Sequence, residues 1–341
     1  MNLIAAAGHV AERALVPDAL TIAGIGLIVG SRRRALARAA PAAESEFAAA
    51  MRRFQVAEHA SAANAQHYEL PAEFFAEVLG PRRKYSCCYY DRDARDLAAA
   101  EERSLELTAQ HAGLADGQSI LELGCGWGSL SLYLAERFPA ARIVAASNSS
   151  GQRRYIEGAA RARGLNNLAV VTSDMNEFDP KARFDRVVSV EMFEHMANWP
   201  ELLARIRGWL NPGGALFLHV FSHRQTPYRF DHGDSADWIA RHFFTGGIMP
   251  SHGLIRHFGE LFHVEQEWRW NGAQYRRTAR DWLRNYDRNI AAIRPILRRA
   301  YDGESALWER RWRLFFLATA GLFGHGGGRE WGVSHYRLTP S

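Results

Sequence analysis

The chain has 341 residues, enough for two domains or for one large domain with an extension. A composition that is 47% hydrophobic and 23% charged excludes wholesale disorder. Three cysteines, Cys87, Cys88 and Cys125, are too few and too oddly placed for a disulfide scaffold, which points to a reducing compartment. The net charge of +5 permits an anionic partner without requiring one. Only Lys84 and Lys181 offer amines for Schiff-base chemistry, neither in an obvious pocket motif.

In chain order, residues 1–112 read as helical: alanine-rich, with apolar and charged residues mixed at helical spacing. The apolar stretch Ala19–Gly30, opened by Pro17-Asp18 and followed by Arg32-Arg33-Arg34, has 12 residues. A membrane span needs ~20, and the grammar of a signal peptide is missing. It reads as a short helix packed on the body or on a membrane surface, in a cytoplasmic protein. The texture then changes. Ser119–Leu123, Arg142–Ala146, Leu168–Thr172, Asp185–Val190 and Ala215–Val220 are short apolar runs of strand length. Helical stretches at Ser129–Arg137, Gln152–Arg163 and Pro200–Leu210 separate them, with a turn at Asn211-Pro212-Gly213-Gly214. That alternation predicts a doubly wound, mostly parallel sheet.

Beyond residue 222 the alternation lapses into an aromatic, histidine-rich insertion or lid, about 222–275. Nine of the ten tryptophans follow position 190, which suits either core or an apolar substrate chamber. Arg277–Ala300 and Ala306–Phe323 read as helices and Glu330–Leu338 as a closing strand. From Arg276 to Arg313 eleven arginines face five acids, a solvated helical face or a surface for an acidic lipid headgroup.

Two runs carry chemistry. Glu122-Leu123-Gly124-Cys125-Gly126-Trp127-Gly128 lies between a strand and a helix, where glycines let backbone approach a ligand and the helix start favours negative charge. Its G-x-G-x-G spacing departs from the dinucleotide G-x-G-x-x-G, and the second strand ends without an acid for a ribose; Asn148 and Gln152 stand there instead. Asp174, after the third strand, suits either an adenine contact or a helix N-cap. After the fourth strand come Glu191, Glu194 and His195. If that segment turns helically, the three share one side, and two carboxylates beside an imidazole attract an ammonium, accept its proton and raise the histidine pKa. No histidine or cysteine spacing makes a metal site, and no basic stripe with stacking aromatics suggests nucleic acid.

The E-x-G-x-G-x-G form resembles the first motif of S-adenosylmethionine-dependent methyltransferases. Further runs follow in the same order: Tyr85–Tyr90 (YSCCYY), Ala146–Glu157, Ser189–Met196 (SVEMFEHM), Leu216–His223, His242–Ser251 and Glu330–Leu338. Together they resemble the cyclopropane fatty acid synthase superfamily, and within it the plant coclaurine N-methyltransferases, from about Gln66 to Leu338. The resemblance implies a Rossmann-like class I methyltransferase. Residues 1–112 would be a helical extension contributing to the pocket, and 113–341 the catalytic domain. It also implies S-adenosylmethionine held by Tyr85, Ser86, Gly124, Gly126, Asn148, Gln152, Asp174, Met175 and Val190. The E-x-x-E-H group would bind and deprotonate an amine. By the same resemblance Cys87, Glu194, His219 and Tyr275 match the bicarbonate site of the cyclopropane synthases. Two departures speak against cyclopropanation: Glu191 where glycine is usual, and Thr319 in ATAGLF where a cysteine is usual. The expected acceptor is a small amine; the alternative is an unsaturated acyl chain of a phospholipid, methylated or cyclopropanated at a membrane surface. The oligomeric state stays open.

Overall fold

The computed structural model describes residues 12–14, 16–58, 70–231, 233 and 237–341. Expectations for the other positions, including the start of the likeness at Gln66 and part of the lid, lie outside the described residues.

The five apolar runs form strands β1 (Ser119–Leu123), β2 (Arg142–Ser147), β3 (Leu168–Thr172), β4 (Phe184–Val190) and β5 (Leu210–His223). They pair in parallel in the order β3-β2-β1-β4-β5. The sheet is completed by β9 (Trp331–Pro340), antiparallel to β5, and by β8 (Phe262–Asn271) at the edge. Two short strands, β6 (Tyr228–Arg229) and β7 (Ile248–Met249), make a separate pair in the insertion.

Alternation along the central strands sends side chains to two cores, which is why these runs are apolar throughout. Ile120, Val188 and Phe217 meet α4 (Leu97–Ala112) and α5 (Ser129–Arg137) on one face. Leu121, Val187 and Leu216 meet α2 (Ala43–Met51) and α7 (Trp199–Gly208) on the other. On the first face, α6 (Ser150–Ala162) covers β2 and β3. An aromatic cap joins α1 (Asp18–Leu36), α3 (Ala72–Val78), α9 (Ala273–Arg288), α10 (Ile290–Ala300) and α11 (Ser305–Gly324). A short helix of the insertion, α8 (Trp238–His242), joins it through Phe243.

Three elements differ from the sequence reading. Asn211–Gly214 is not a separating turn but part of β5, with Gly213 at φ +75° and a register shift between Phe184 and Arg186 absorbing the extra residues between Leu210 and Ala215. The stretch expected as one helix from Arg277 breaks at Asn289, whose side-chain amide donates to the Glu77 carbonyl at 2.8 Å. The helix expected over Ala19–Gly30 continues through the arginines to Leu36 and packs along α11. Among the described residues, no helix is long and apolar enough to cross a membrane.

Candidate active site

Strand order reverses between β1 and β4, so the loops leaving these neighbours diverge and open a crevice at their carboxyl ends. The β1 loop is the glycine run. Gly124, Gly126 and Gly128 all have positive φ (+78°, +52° and +74°), a region that side chains adopt only under strain. A Cβ at Gly124 would lie 2.5 Å from the Met192 side chain, whereas at Gly126 it would meet no protein atom within 4 Å. Gly124 is therefore fixed by packing, and Gly126 borders open space.

Two adjoining hollows meet at Gly124, Gly126 and Glu191. One, of about 750 Å³, is lined by Asn148, Gln152, Asp174, Met175 and His195, among others. The other, of about 560 Å³, is lined by Lys84, Tyr85, Ser86, Glu122, Trp127 and Val190, among others. All nine residues expected around the cofactor thus border one or both. Asp174 also serves as a turn former, its Oδ1 accepting from the Asn176 N–H at 2.8 Å. Buried donors at these hollows that lack a partner include Gln152 Nε2, Trp127 Nε1 and Ser129 Oγ, with Arg83 Nη1 and Thr108 Oγ1 at the second hollow. Unpaired buried donors are costly unless a ligand accepts from them. S-Adenosylmethionine, rich in acceptor oxygens and nitrogens, fits that donor set.

Lys84 is a correction to the sequence reading. It is buried at the second hollow, its ammonium donating to Ser86 Oγ and, at 2.8 Å, to the Cys87 carbonyl. Nothing in its local sequence announces a pocket. Trp127 and Ser129 were also missed as donors, although both lie in or beside the glycine motif.

The β4 exit is not helical at its first residue. Glu191 sits at φ +48°, its N–H donating to the His219 carbonyl at 2.8 Å, and a single 3-10 turn, Phe193–His195, follows. Strain of this kind collects at functional sites. The three groups therefore diverge in their contacts instead of sharing a helix side. Glu191 Oε1 accepts from the Cys87 N–H at 2.9 Å and pairs with His219 Nε2 at 3.1 Å; Oε2 accepts from Tyr275 OH at 2.6 Å. Three of the four positions matched to a bicarbonate site, all but Glu194, thus serve the protein's own carboxylate, Cys87 through its backbone, its thiol contacting the Cys88 carbonyl at 3.4 Å. A second anion there would find these donors already engaged.

Glu194 is fully buried, with Oε1 accepting from the Phe221 N–H at 2.5 Å and Oε2 unpartnered. Burial, and then the nearby Glu191 carboxylate, push its pKa well up. Glu191 is also raised by burial, against the pull of the Lys84 ammonium. His195 lies at the first hollow and stacks on Phe244, ring centroids 4.6 Å apart. Against the rise expected beside two carboxylates, burial lowers its pKa to about 4, only partly opposed by Glu191, so it stands as a neutral imidazole at neutral pH. Among the described residues, no three His, Cys, Asp or Glu side chains gather as a metal site.

A Rossmann-like sheet with this glycine bend and this crevice belongs to an S-adenosylmethionine-dependent methyltransferase, the class to which its relatives and structural neighbours belong. The chain belongs to the mycolic acid cyclopropane synthetase family, whose pattern it matches over residues 55–327. It is 33% identical to (S)-coclaurine N-methyltransferase of Thalictrum flavum subsp. glaucum, over 84% of this chain and 80% of that protein. It is 30% identical to cyclopropane-fatty-acyl-phospholipid synthase of Escherichia coli K12, over 76% of this chain and 63% of that protein. Its fold matches a crystal structure of coclaurine N-methyltransferase bound to N-methylheliamine and SAH, with a TM-score of 0.93, 30% identity and 99% of each chain covered. The cyclopropane synthase MmaA2 from Mycobacterium tuberculosis shares the fold at a TM-score of 0.70 and 22% identity, over 84% of this chain and 99% of that one.

Proposed function

We propose that this methyltransferase transfers its methyl group to the nitrogen of a small, partly apolar amine. The observation that carries the reading is Glu194 Oε2, a fully buried carboxylate oxygen with no partner, beside a second buried carboxylate and a neutral imidazole. An ammonium N–H fills that vacancy and lowers the cost of both buried acids. The coclaurine N-methyltransferase relatives support the same acceptor class.

On this reading Tyr85, Ser86, Gly124 and Gly126 hold the methionine part of S-adenosylmethionine. Asn148 and Gln152 face its ribose, Asp174 and Met175 its adenine end, and Val190 borders the second hollow with Tyr85 and Ser86. The bound cofactor supplies a methyl already activated on a sulfonium. The protein aligns the acceptor and manages one proton. Glu194 and His195 draw the ammonium in and take its proton; the freed lone pair forms the N–C bond as the C–S bond breaks. Phe244 and the neighbouring Phe230 and Phe221, ring centroids 5.3 and 5.5 Å from it, wall the acceptor and stabilise its cation. Bicarbonate has no part in this scheme, since Glu191 engages the groups matched to it.

Acyl-chain methylation remains the second reading because of the Escherichia coli relative. The arginine-rich stretch does not favour it. Arg284, Arg294, Arg311 and Arg313 are ion-paired, and no arginine of 276–313 lines either hollow. Labelled-methyl transfer to a panel of amines and, in parallel, to a phospholipid extract separates the two. The amine reading expects N-methylated products by mass; label confined to acyl chains overturns it.

A further inference from the structure

The second hollow is lined by polar groups of two kinds. Glu122 and Glu191 supply carboxyls. With them stand donors that lack a partner among the described residues, including Arg83 Nη1, Thr108 Oγ1, Trp127 Nε1 and Ser129 Oγ. A guanidinium and an indole N–H can only donate, so what completes them is an acceptor. Trp127 and Thr108 are 3% and 1% exposed, so bulk water does not serve them. Ser129 opens α5, where the helix start favours negative charge.

Arg83 is fixed at this hollow by its backbone and by its side chain. Two non-glycine residues at positive φ line the hollow, Arg83 at +52° and Glu191 at +48°. Left-handed backbone is strained in a residue with a side chain and persists only where the surroundings enforce it. One fully buried carboxylate does so here. Glu101 accepts from the N–H groups of Gly80, Arg82 and Lys84 at 3.1, 2.8 and 3.1 Å, on both sides of Arg83. The Arg83 guanidinium lies over the Tyr155 ring at 4.2 Å, and Trp127 meets the same ring edge-on, centroids 5.7 Å apart. Arg82, next in the chain, pairs with Glu102 and Glu136 instead. We propose that Arg83, together with Trp127 Nε1 and Ser129 Oγ, takes the α-carboxylate at the methionyl end of S-adenosylmethionine and sets a preference for a carboxylated ligand. A planar guanidinium matches a carboxylate's two oxygens. A lone anion would face Glu122 and Glu191; an amino acid head brings an ammonium for those carboxyls and a carboxylate for the donors. The assignment rests on the methionyl end lying at Tyr85 and Ser86, as in the reading above, and not on the identity of the methyl acceptor.

Calorimetry with no methyl acceptor present tests it. The ligands are S-adenosylhomocysteine and its decarboxylated counterpart, S-adenosyl-3-thiopropylamine, which keeps the amine and lacks only the carboxylate. Wild type should bind the first more tightly by about tenfold or more, the worth of a charged hydrogen bond. Arg83→Gln should lose about tenfold or more on S-adenosylhomocysteine and stay within about twofold on the decarboxylated ligand. Arg83→Lys, a point charge without the planar fork, should fall between wild type and Arg83→Gln. Trp127→Phe keeps the ring and removes the N–H, and should weaken only the carboxylated ligand. Equal loss on both ligands would make Arg83 a mere support of the loop bound by Glu101, and overturns the proposal. So does a wild type that binds the two ligands alike, a result that needs no variant to fold. Either outcome leaves the amine reading standing; that reading fails separately, in the labelled-methyl assay.

Discussion

Glu191 shows how much one residue's backbone decides. At φ +48° its carboxylate turns back onto the Cys87 amide, His219 and Tyr275, so the proposed acceptor falls to Glu194 and His195. Replacing Glu194 with glutamine keeps shape and removes the titrating oxygen. Turnover should fall by about 10²–10⁴, the usual range for a general base, while S-adenosylmethionine affinity by calorimetry stays within twofold; equal losses in both would contradict the assignment. Gly126→Val should abolish cofactor binding, because the new side chain enters the open space at the bend. The left-handed backbone adds roughly 1–3 kcal/mol of strain, to be read by denaturant unfolding. The placement of the glycine motif and of the E-x-x-E-H group at the ends of β1 and β4 was legible because apolar runs of strand length precede both. Glu191's role as the site's own anion was not. It depends on a positive φ and on the backbone of Cys87, neither of which residue types announce.

Elements whose apolar pattern matches their burial could be read almost to the residue, as at Ser119–Leu123 and Ser129–Arg137. The exceptions have polar causes. Strand β8 (FHVEQEWRWN) went unread because an edge strand buries little beyond Phe262 and Trp270, so no apolar alternation marks it. The break between α9 and α10 was hidden because Asn289 acts through a distant partner. Its amide and that of Asn285 cap the Glu77 and Val78 carbonyls at the end of α3, where Phe75 packs on Tyr85 and Trp127. Asn289→Ala leaves a carbonyl short of a partner, at a cost of about 1–3 kcal/mol. The midpoint of thermal unfolding should drop, with a weaker S-adenosylmethionine affinity as Tyr85 and Trp127 lose support. An unchanged midpoint would show that the break is not held by that bond.

At the scale of the molecule, its core stores ionisable groups of both kinds. Among the described residues, burial lowers seven histidines, His111, His195, His219, His223, His242, His252 and His335, with His111, His195 and His242 at about 4. The unfolded chain takes up these protons near ~6.5, so their stabilisation is complete above that pH and is lost as pH falls toward 4. Four buried carboxylates act the other way: Glu101 and Glu122, raised to about 7, and the coupled pair Glu191 and Glu194. Their contribution is complete below ~4.3 and declines as pH rises through the folded value. Between pH 4.5 and 6.5 the histidines outnumber them, so the urea midpoint should fall on acidification; a flat or rising midpoint would contradict the balance. The central claim meets its most direct test in a crystal structure of the protein with S-adenosylhomocysteine and an N-methylated amine. The account predicts the homocysteine cupped by Gly124–Gly128 and the product nitrogen within hydrogen-bond reach of Glu194 or His195. An empty bend, or a nitrogen facing neither side chain, would contradict it.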